Sequence, residues 1–112
     1  MRPEDRVGRW IDALAATLDT AASLAARGRA AYDADAAVPL AFEALANRVG
    51  ELAKRLSAAD PGRFSAPIWS QAARNRDFVV HHYDRIDRDA LWQTVSRDFP
   101  ALRQALEAAR TN

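Results

Sequence analysis

The residues best suited to chemistry lie together in one short segment, residues 74–83, with the sequence RNRDFVVHHY. The segment contains both histidines of the chain. Histidine is the side chain whose unperturbed pKa lies near neutrality, so it can accept or deliver a proton under physiological conditions. Arginine binds phosphate well and stabilises charge that develops on it. The segment therefore offers an acid–base group, two guanidinium groups, a carboxylate and a phenol.

The spacing predicts that this segment ends a helix running from about Ile68 to His82. On a helix, Arg74, Asp77 and His81 fall on one stripe, so the Asp77 carboxylate is placed to hold an imidazole N–H. Arg76 and Tyr83 share a neighbouring stripe. Spacing alone leaves a structural alternative open, in which the helix dipole favours histidines at a C-terminus and the arginines with Asp77 form a solvated ion-pair face.

We expect neither a metal nor a cofactor in this segment. Adjacent histidines such as His81 and His82 point about 100° apart on a helix and chelate one ion poorly. The chain has no cysteine, which excludes a thiol nucleophile, a disulfide scaffold and a cysteine zinc site.

The elements that must position these residues are all predicted to be helical. Apolar residues recur at intervals of three and four over 4 to about 28 and over about 36–57, which predicts two long amphipathic helices. Gly28 is placed to end the first helix. Residues 29–37 are predicted to form a loop, and 57–67, with Asp60-Pro61-Gly62, a turn region.

Shorter helices complete the prediction. Residues 84–86 form a connection after the motif, and Asp87 is a suitable N-cap for the next helix. Pro100 breaks or restarts that helix, and Leu102 and Leu106 line the last one. The sequence therefore predicts an all-α bundle of two long and two or three short helices.

Size and composition fit a single domain over residues 1–112. The net charge of +1 gives no strong overall field for nucleic acid or membrane, although every cation except Lys54 is arginine. No stretch is apolar enough to cross a membrane, and no signal peptide is expected. We expect a cytoplasmic protein without membrane contact.

The pattern Arg-x4-His-x-Tyr, present as Arg76, His81 and Tyr83, resembles the signature of the HepT-like branch of HEPN proteins. The flanking sequence resembles that branch as well. Downstream the similar residues are Asp87, Leu91-Trp92 and Asp98-Phe99-Pro100-Ala101-Leu102, and upstream they are Val49-Gly50-Glu51, Leu56-Ser57 and Ile68-Trp69. His82 stands where the family often has a small residue.

The resemblance implies a HEPN-type bundle that forms a homodimer and cleaves RNA without a metal. It implies that His81 is the acid–base residue and Arg76 the phosphate clamp, with Asp77, Arg74 and His82 in orienting or auxiliary roles. It also implies a toxin whose antitoxin, a minimal nucleotidyltransferase, adenylylates Tyr83.

Two other functions remain open at this stage: a non-catalytic helical partner of a nucleotidyltransferase, and a purely structural bundle. The chain is not expected to be the nucleotidyltransferase itself. Asp33-Ala34-Asp35 is an isolated Asp-x-Asp with no Gly-Ser before it, so it is interpreted as loop and helix cap.

Overall fold

The computed structural model describes residues 2–81 and 87–110, with the backbone alone at 3, 4 and 76–81. All regular structure in these ranges is helical, which confirms the all-α prediction. The α-helices are α1 (Pro3–Ala25), α2 (Arg29–Ala34), α3 (Ala37–Ala59), α4 (Pro67–His81), α5 (Arg88–Gln93) and α6 (Phe99–Arg110). A π-helical stretch, Thr94–Asp98, joins α5 to α6.

The two long helices, α1 and α3, each have 23 residues and supply much of the core. Their apolar stripes are buried as predicted, apart from the half-buried Trp10, Ala25 and Leu45. Each fully buried large aliphatic side chain contributes about 1.5–3 kcal/mol. None of the helices in the described part of the chain is long and apolar enough to cross a bilayer. The buried stripe residues are Val7, Ile11, Leu14, Leu18 and Ala21 of α1 and Val38, Phe42, Val49, Leu52 and Leu56 of α3.

The prediction of a loop over 29–37 was wrong, because Arg29–Ala34 forms α2. The helix α1 ends at Ala25, and Gly28, with φ of 90°, redirects the chain into α2. A backbone with this φ favours glycine over residues that carry a Cβ. Asp35 does act as predicted near a helix start, since its Oδ1 accepts a hydrogen bond from the Ala37 N–H at 3.0 Å.

Burial of Tyr32 explains why this short segment folds as a helix. The Tyr32 ring is fully buried and contacts the rings of Phe42 and Trp92, with centroid distances of 5.0 and 5.3 Å. Its hydroxyl donates to the Arg88 carbonyl at 2.7 Å, and Arg88 Nη2 donates to the Tyr32 carbonyl at 3.1 Å. These reciprocal bonds, the Tyr32–Arg88 latch, join α2 to the first residue of α5.

The turn at residues 60–66 sends α4 back along α3, as the Asp-Pro-Gly sequence predicts. The Asp60 carboxylate accepts the Arg63 N–H at 3.2 Å, and Phe64 packs edge-on against Trp69 with centroids 4.8 Å apart. The Arg63 Nε also donates to the Ala109 carbonyl at 2.8 Å, which satisfies one of the carbonyls left unpaired at the end of α6. The turn therefore fixes both the start of α4 and the end of α6.

Asp87 caps α5 as predicted, accepting hydrogen bonds from the Asp89 and Ala90 N–H groups at 2.9 and 3.1 Å. The two predicted alternatives for Pro100 were that it breaks the helix or that it restarts it. The structure contradicts the first, because the helical path continues through Pro100. The π-helical stretch precedes it, and the Phe99 N–H bonds to the Thr94 carbonyl five residues back. This wider turn makes room for a proline ring near the start of α6. Leu102 and Leu106 are buried on α6 as expected.

We expect Tyr32→Phe to lower the free energy of unfolding by about 1–2 kcal/mol, because the Arg88 carbonyl loses its donor inside the fold. Urea denaturation checks this. Asp89→Asn is the matched control: it breaks the Arg29–Asp89 pair between the same two helices, but that pair is exposed and should matter less. A larger loss in Asp89→Asn than in Tyr32→Phe would show that the latch is not what joins α2 to α5.

Candidate active site

The helix α4 carries most of the predicted site, and its first half is firmly anchored. Trp69 and Ala72 are buried against the rest of the bundle. The Ser70 hydroxyl donates to the Pro67 carbonyl at 3.0 Å in the first turn. The start of α4 is therefore held by packing on one side and a local hydrogen bond on the other.

Arg74, predicted as an auxiliary phosphate contact, lies on the exposed side of α4. Its Nη1 lies 3.4 Å from the Ser70 hydroxyl, a long hydrogen bond. No carboxylate among the described side chains pairs with it. The Arg74 guanidinium is therefore accessible to a ligand from solution.

The helix continues without a break from Arg74 through Arg76 and Asp77 to His81. This confirms the predicted helix over these four positions in the backbone. The side chains of Arg76, Asp77 and His81 lie outside what the structure describes, so the predicted contact between Asp77 and His81 stays a prediction. His82, Tyr83 and the predicted connection at 84–86 also lie outside the described residues.

The chain re-enters the described part at Asp87, where the cap and the Tyr32–Arg88 latch fix the start of α5. The Arg88 guanidinium lies 5.4 Å from the centroid of the Tyr32 ring. Among the described residues it has no carboxylate partner, and Arg88 is exposed. The Arg88 guanidinium is therefore a cation held in a defined position, five residues after Tyr83 in the sequence, and it was not predicted from the sequence.

Arg29 lies over the same aromatic cluster but has a different electrostatic environment. Its guanidinium donates to Asp89 at 2.5 Å and to Asp33 at 2.9 Å. These hydrogen bonds raise the pKa of Arg29 above its ordinary value, and the bond to Asp89 has the larger effect. Two carboxylates neutralise Arg29, so Arg88 is the better placed of the two cations to meet an anionic ligand.

A cavity of about 120 Å³ lies beside α4 where it meets the π-helical stretch and α6. One side of it is formed by α4, whose Asn75 directly precedes Arg76. The lining includes Ile68, Gln71 and Asn75 from α4 and Asp98, Phe99 and Leu102 from the opposite side. The cavity thus combines apolar walls with two amides and one carboxylate.

Asp98 is the charged group of this cavity, and its environment is unfavourable to the charge. Partial burial raises the pKa of Asp98 above its ordinary value. Among the described side chains no cation pairs with it. Within the described part of the chain, this carboxylate therefore lies in a partly desolvated position without the cation that usually accompanies one.

The sequence analysis missed this cavity, although it did note Asp98 as the first residue of the Asp98-x-Pro100 pattern. An acidic residue beside a proline predicts a helix start, where its carboxylate would serve as a cap. The structure instead places Asp98 at the last residue of the π-helical stretch, within a continuous helical path from α5 to α6. Nothing in the local spacing indicates that Gln71 and Asn75 lie across from it.

Comparison with known proteins gives two matches. A family model described as "Ribonuclease HepT-like" matches residues 14–109 of the chain. A curated protein named "Probable ribonuclease HepT", from Thermococcus cleftensis, is 40% identical over 42 residues, which is 38% of each of the two chains. No solved structure matches.

We expect Asp98→Asn to raise the free energy of unfolding at neutral pH, because an amide avoids the cost of burying charge. The pKa of Asp98 is higher in the folded state than in the unfolded state. The charged carboxylate therefore destabilises the fold as pH rises through the folded-state pKa, and this effect is absent at pH values below the unfolded-state pKa. The gain should therefore be largest near pH 7 and disappear as pH falls below about 4.

Urea denaturation across this pH range measures the gain, and the exposed Asp5→Asn, with the same change in charge, is the control. If Asp98→Asn raised the free energy of unfolding by the same amount at every pH, or lowered it at neutral pH, desolvation would not be the cause of the raised pKa of Asp98.

Proposed function

Because the chain belongs to the HepT-like ribonuclease family, we propose that it is a metal-independent endoribonuclease and the toxin of a toxin–antitoxin pair. The observation that carries this proposal is the Arg-x4-His-x-Tyr motif, Arg76, His81 and Tyr83, inside the matched residues 14–109. Support also comes from α4, which carries Arg76 and His81 on one continuous helix.

The reaction is a transesterification within the RNA strand. A base removes the proton of a ribose 2′-hydroxyl, the 2′-oxygen bonds to the adjacent phosphorus, and the bond from phosphorus to the 5′-oxygen breaks. An acid returns a proton to the 5′-oxygen, which leaves a 2′,3′-cyclic phosphate and a 5′-hydroxyl. We assign proton transfer to His81, since imidazole serves as base and imidazolium as acid.

Arg76 stabilises the extra negative charge that the phosphoryl oxygens carry in the transition state. A planar guanidinium can donate two parallel hydrogen bonds to such a group. Asp77, one turn before His81, would hold the imidazole in one orientation. Arg74 and Arg88, both exposed and without a carboxylate partner among the described residues, are suited to the flanking phosphates of the strand.

One catalytic histidine per chain supplies one of the two proton transfers. We therefore propose a homodimer in which two copies of Arg76 and His81 face one cleft. His82 would support this cleft in an auxiliary role. The family's implied dimer fits this need, since a second copy provides the missing acid or base.

We further propose that a nucleotidyltransferase antitoxin neutralises the chain by adenylylating Tyr83. An adenylyl group attached seven residues after Arg76 would place a phosphate and a bulky base where RNA must bind. The modification would thus compete with substrate for the same guanidinium group.

His81→Ala and Arg76→Ala should each lower the rate of RNA cleavage by at least about 100-fold, since acid–base and charge-stabilising groups contribute on this scale. Gel analysis of a labelled RNA incubated with the purified protein measures the rate. Arg97→Ala, which removes an exposed arginine outside the motif, is the matched control and should cleave normally. Wild-type cleavage by a folded His81→Ala protein would refute the assignment of His81.

Tyr83→Phe should remain an active ribonuclease but accept no adenylyl group from the nucleotidyltransferase and ATP, as measured by intact-protein mass. The chain has two tyrosines, and the second provides the control. Tyr32 is buried and its hydroxyl is bonded to the Arg88 carbonyl, so Tyr32→Phe should be modified like the wild type. Modification of Tyr83→Phe would show that another group accepts the nucleotide.

A further inference from the structure

The cavity between α4, the π-helical stretch and α6 is not used by the reaction described above. We propose that it binds a guanine base of the RNA next to the scissile phosphate, with the Asp98 carboxylate accepting hydrogen bonds from the guanine N1–H and 2-amino groups. This inference rests on the proposed ribonuclease function and names a base that the enzyme selects.

The size and walls of the cavity suit a flat aromatic ring. Its volume of about 120 Å³ is close to that of an engineered cavity of about 150 Å³ that accepts benzene. Ile68, Phe99 and Leu102 provide apolar surface on its sides. A base that inserts one edge gains contact with these side chains, while its ribose remains outside.

The polar groups of the cavity select among the bases. An ionised carboxylate only accepts hydrogen bonds, and guanine presents two adjacent donors, N1–H and the 2-amino group. Adenine and cytosine present a donor beside an acceptor on the same edge, and that acceptor would face an Asp98 oxygen. The amides of Gln71 and Asn75 can donate to the O6 and N7 acceptors of the same guanine.

The cavity lies beside the backbone position of Arg76, the residue proposed to hold the phosphate. Asn75 lines it, and the Cα atoms of consecutive residues such as Asn75 and Arg76 are about 3.8 Å apart. A base site and a phosphate site at neighbouring positions of one helix lie within the reach of a single nucleotide. A base held here would therefore fix which phosphate meets Arg76.

The Asp98 carboxylate, which has no cationic partner among the described side chains, disfavours anionic ligands. It repels a free phosphate or another anion, and no cluster of three or more metal-ligating side chains exists among the described residues. A neutral ligand rich in N–H donors satisfies Asp98 without bringing a counter-charge. Guanine is the RNA base that provides two such donors side by side.

Equilibrium binding tests the inference without requiring cleavage. Short RNAs with 2′-O-methyl riboses cannot undergo the reaction, and they are made with guanine, inosine or adenine at one position in a uridine background. Inosine keeps N1–H and lacks only the 2-amino group. Fluorescence anisotropy with the wild-type protein should show roughly tenfold tighter binding of the guanine RNA than of the other two.

Two variants locate the preference in the cavity. Asp98→Asn replaces the acceptor pair with an acceptor and a donor, so it should lose the preference for guanine and bind the adenine RNA at least as well. Ala101→Trp fills the exposed rim of the cavity and should remove the difference among the three RNAs. Asp5→Asn, with the same change in charge but outside the cavity, should retain the wild-type preference.

Each outcome decides the matter. Equal wild-type binding of the three RNAs would overturn the inference, as would a guanine preference that survives both Asp98→Asn and Ala101→Trp. A change of oligomeric state in Ala101→Trp, with the base preference intact, would assign the cavity to a protein contact instead. If the wild type prefers guanine but cleaves no RNA that carries free 2′-hydroxyls, the base site stands and the proposed reaction fails.

Discussion

The burial of one tyrosine determines how the chain is held on the C-terminal side of the motif. Tyr32 sits in an aromatic cluster with Phe42 and Trp92, and its backbone and side chain both bond to Arg88. The helix α4 leads into the segment that contains His82 and Tyr83 (residues 82–86), and α5 follows it. Trp69 anchors the first half of α4 on the bundle and the latch holds α5 to α2, so the described chain is held both before and after this segment. A segment proposed to carry catalytic groups benefits from such support, since small displacements of reacting groups lower rates strongly.

Asp98 illustrates how the proposed function and stability diverge in a small bundle. A chain of 112 residues has a limited core, and a partly buried carboxylate without a cation among the described side chains reduces its stability further. Packing alone gives no reason for the charge, because an uncharged residue of similar size would fit the same space at lower cost. Residues that oppose stability without structural benefit are frequent at functional sites. This reasoning favours a ligand for Asp98 rather than a role in folding.

The long helices were predictable because their apolar residues repeat with the helical period, and Asp87 was predictable because a cap is a local interaction. The helix α2 was not predictable in this way, since six residues carry too few turns to show a period and its stability comes from the distant partner of Tyr32. The motif was found because both histidines of the chain lie in it and its spacing resembles a family signature, whereas the cavity was missed because Asn75 and Asp98 meet only through tertiary packing. The sequence thus identifies residues whose chemical type and spacing are distinctive, but not residues that become neighbours only in the folded chain.

The π-helical stretch lets the path from α5 to α6 hold one residue more than a regular α-helix would hold there. One α-turn and one π-turn together hold about eight residues, which is the separation of Leu91 and Phe99, so both face the core. Deleting one residue from Thr94–Asp98 would leave a separation of about seven residues, which two regular α-turns hold, so the buried side of α6 would still face the core. Deleting a second residue would rotate α6 by about 100° relative to α5 and turn that side toward solvent. The stretch can therefore lose one residue with a change of helix type, whereas a larger deletion exposes the core side of α6.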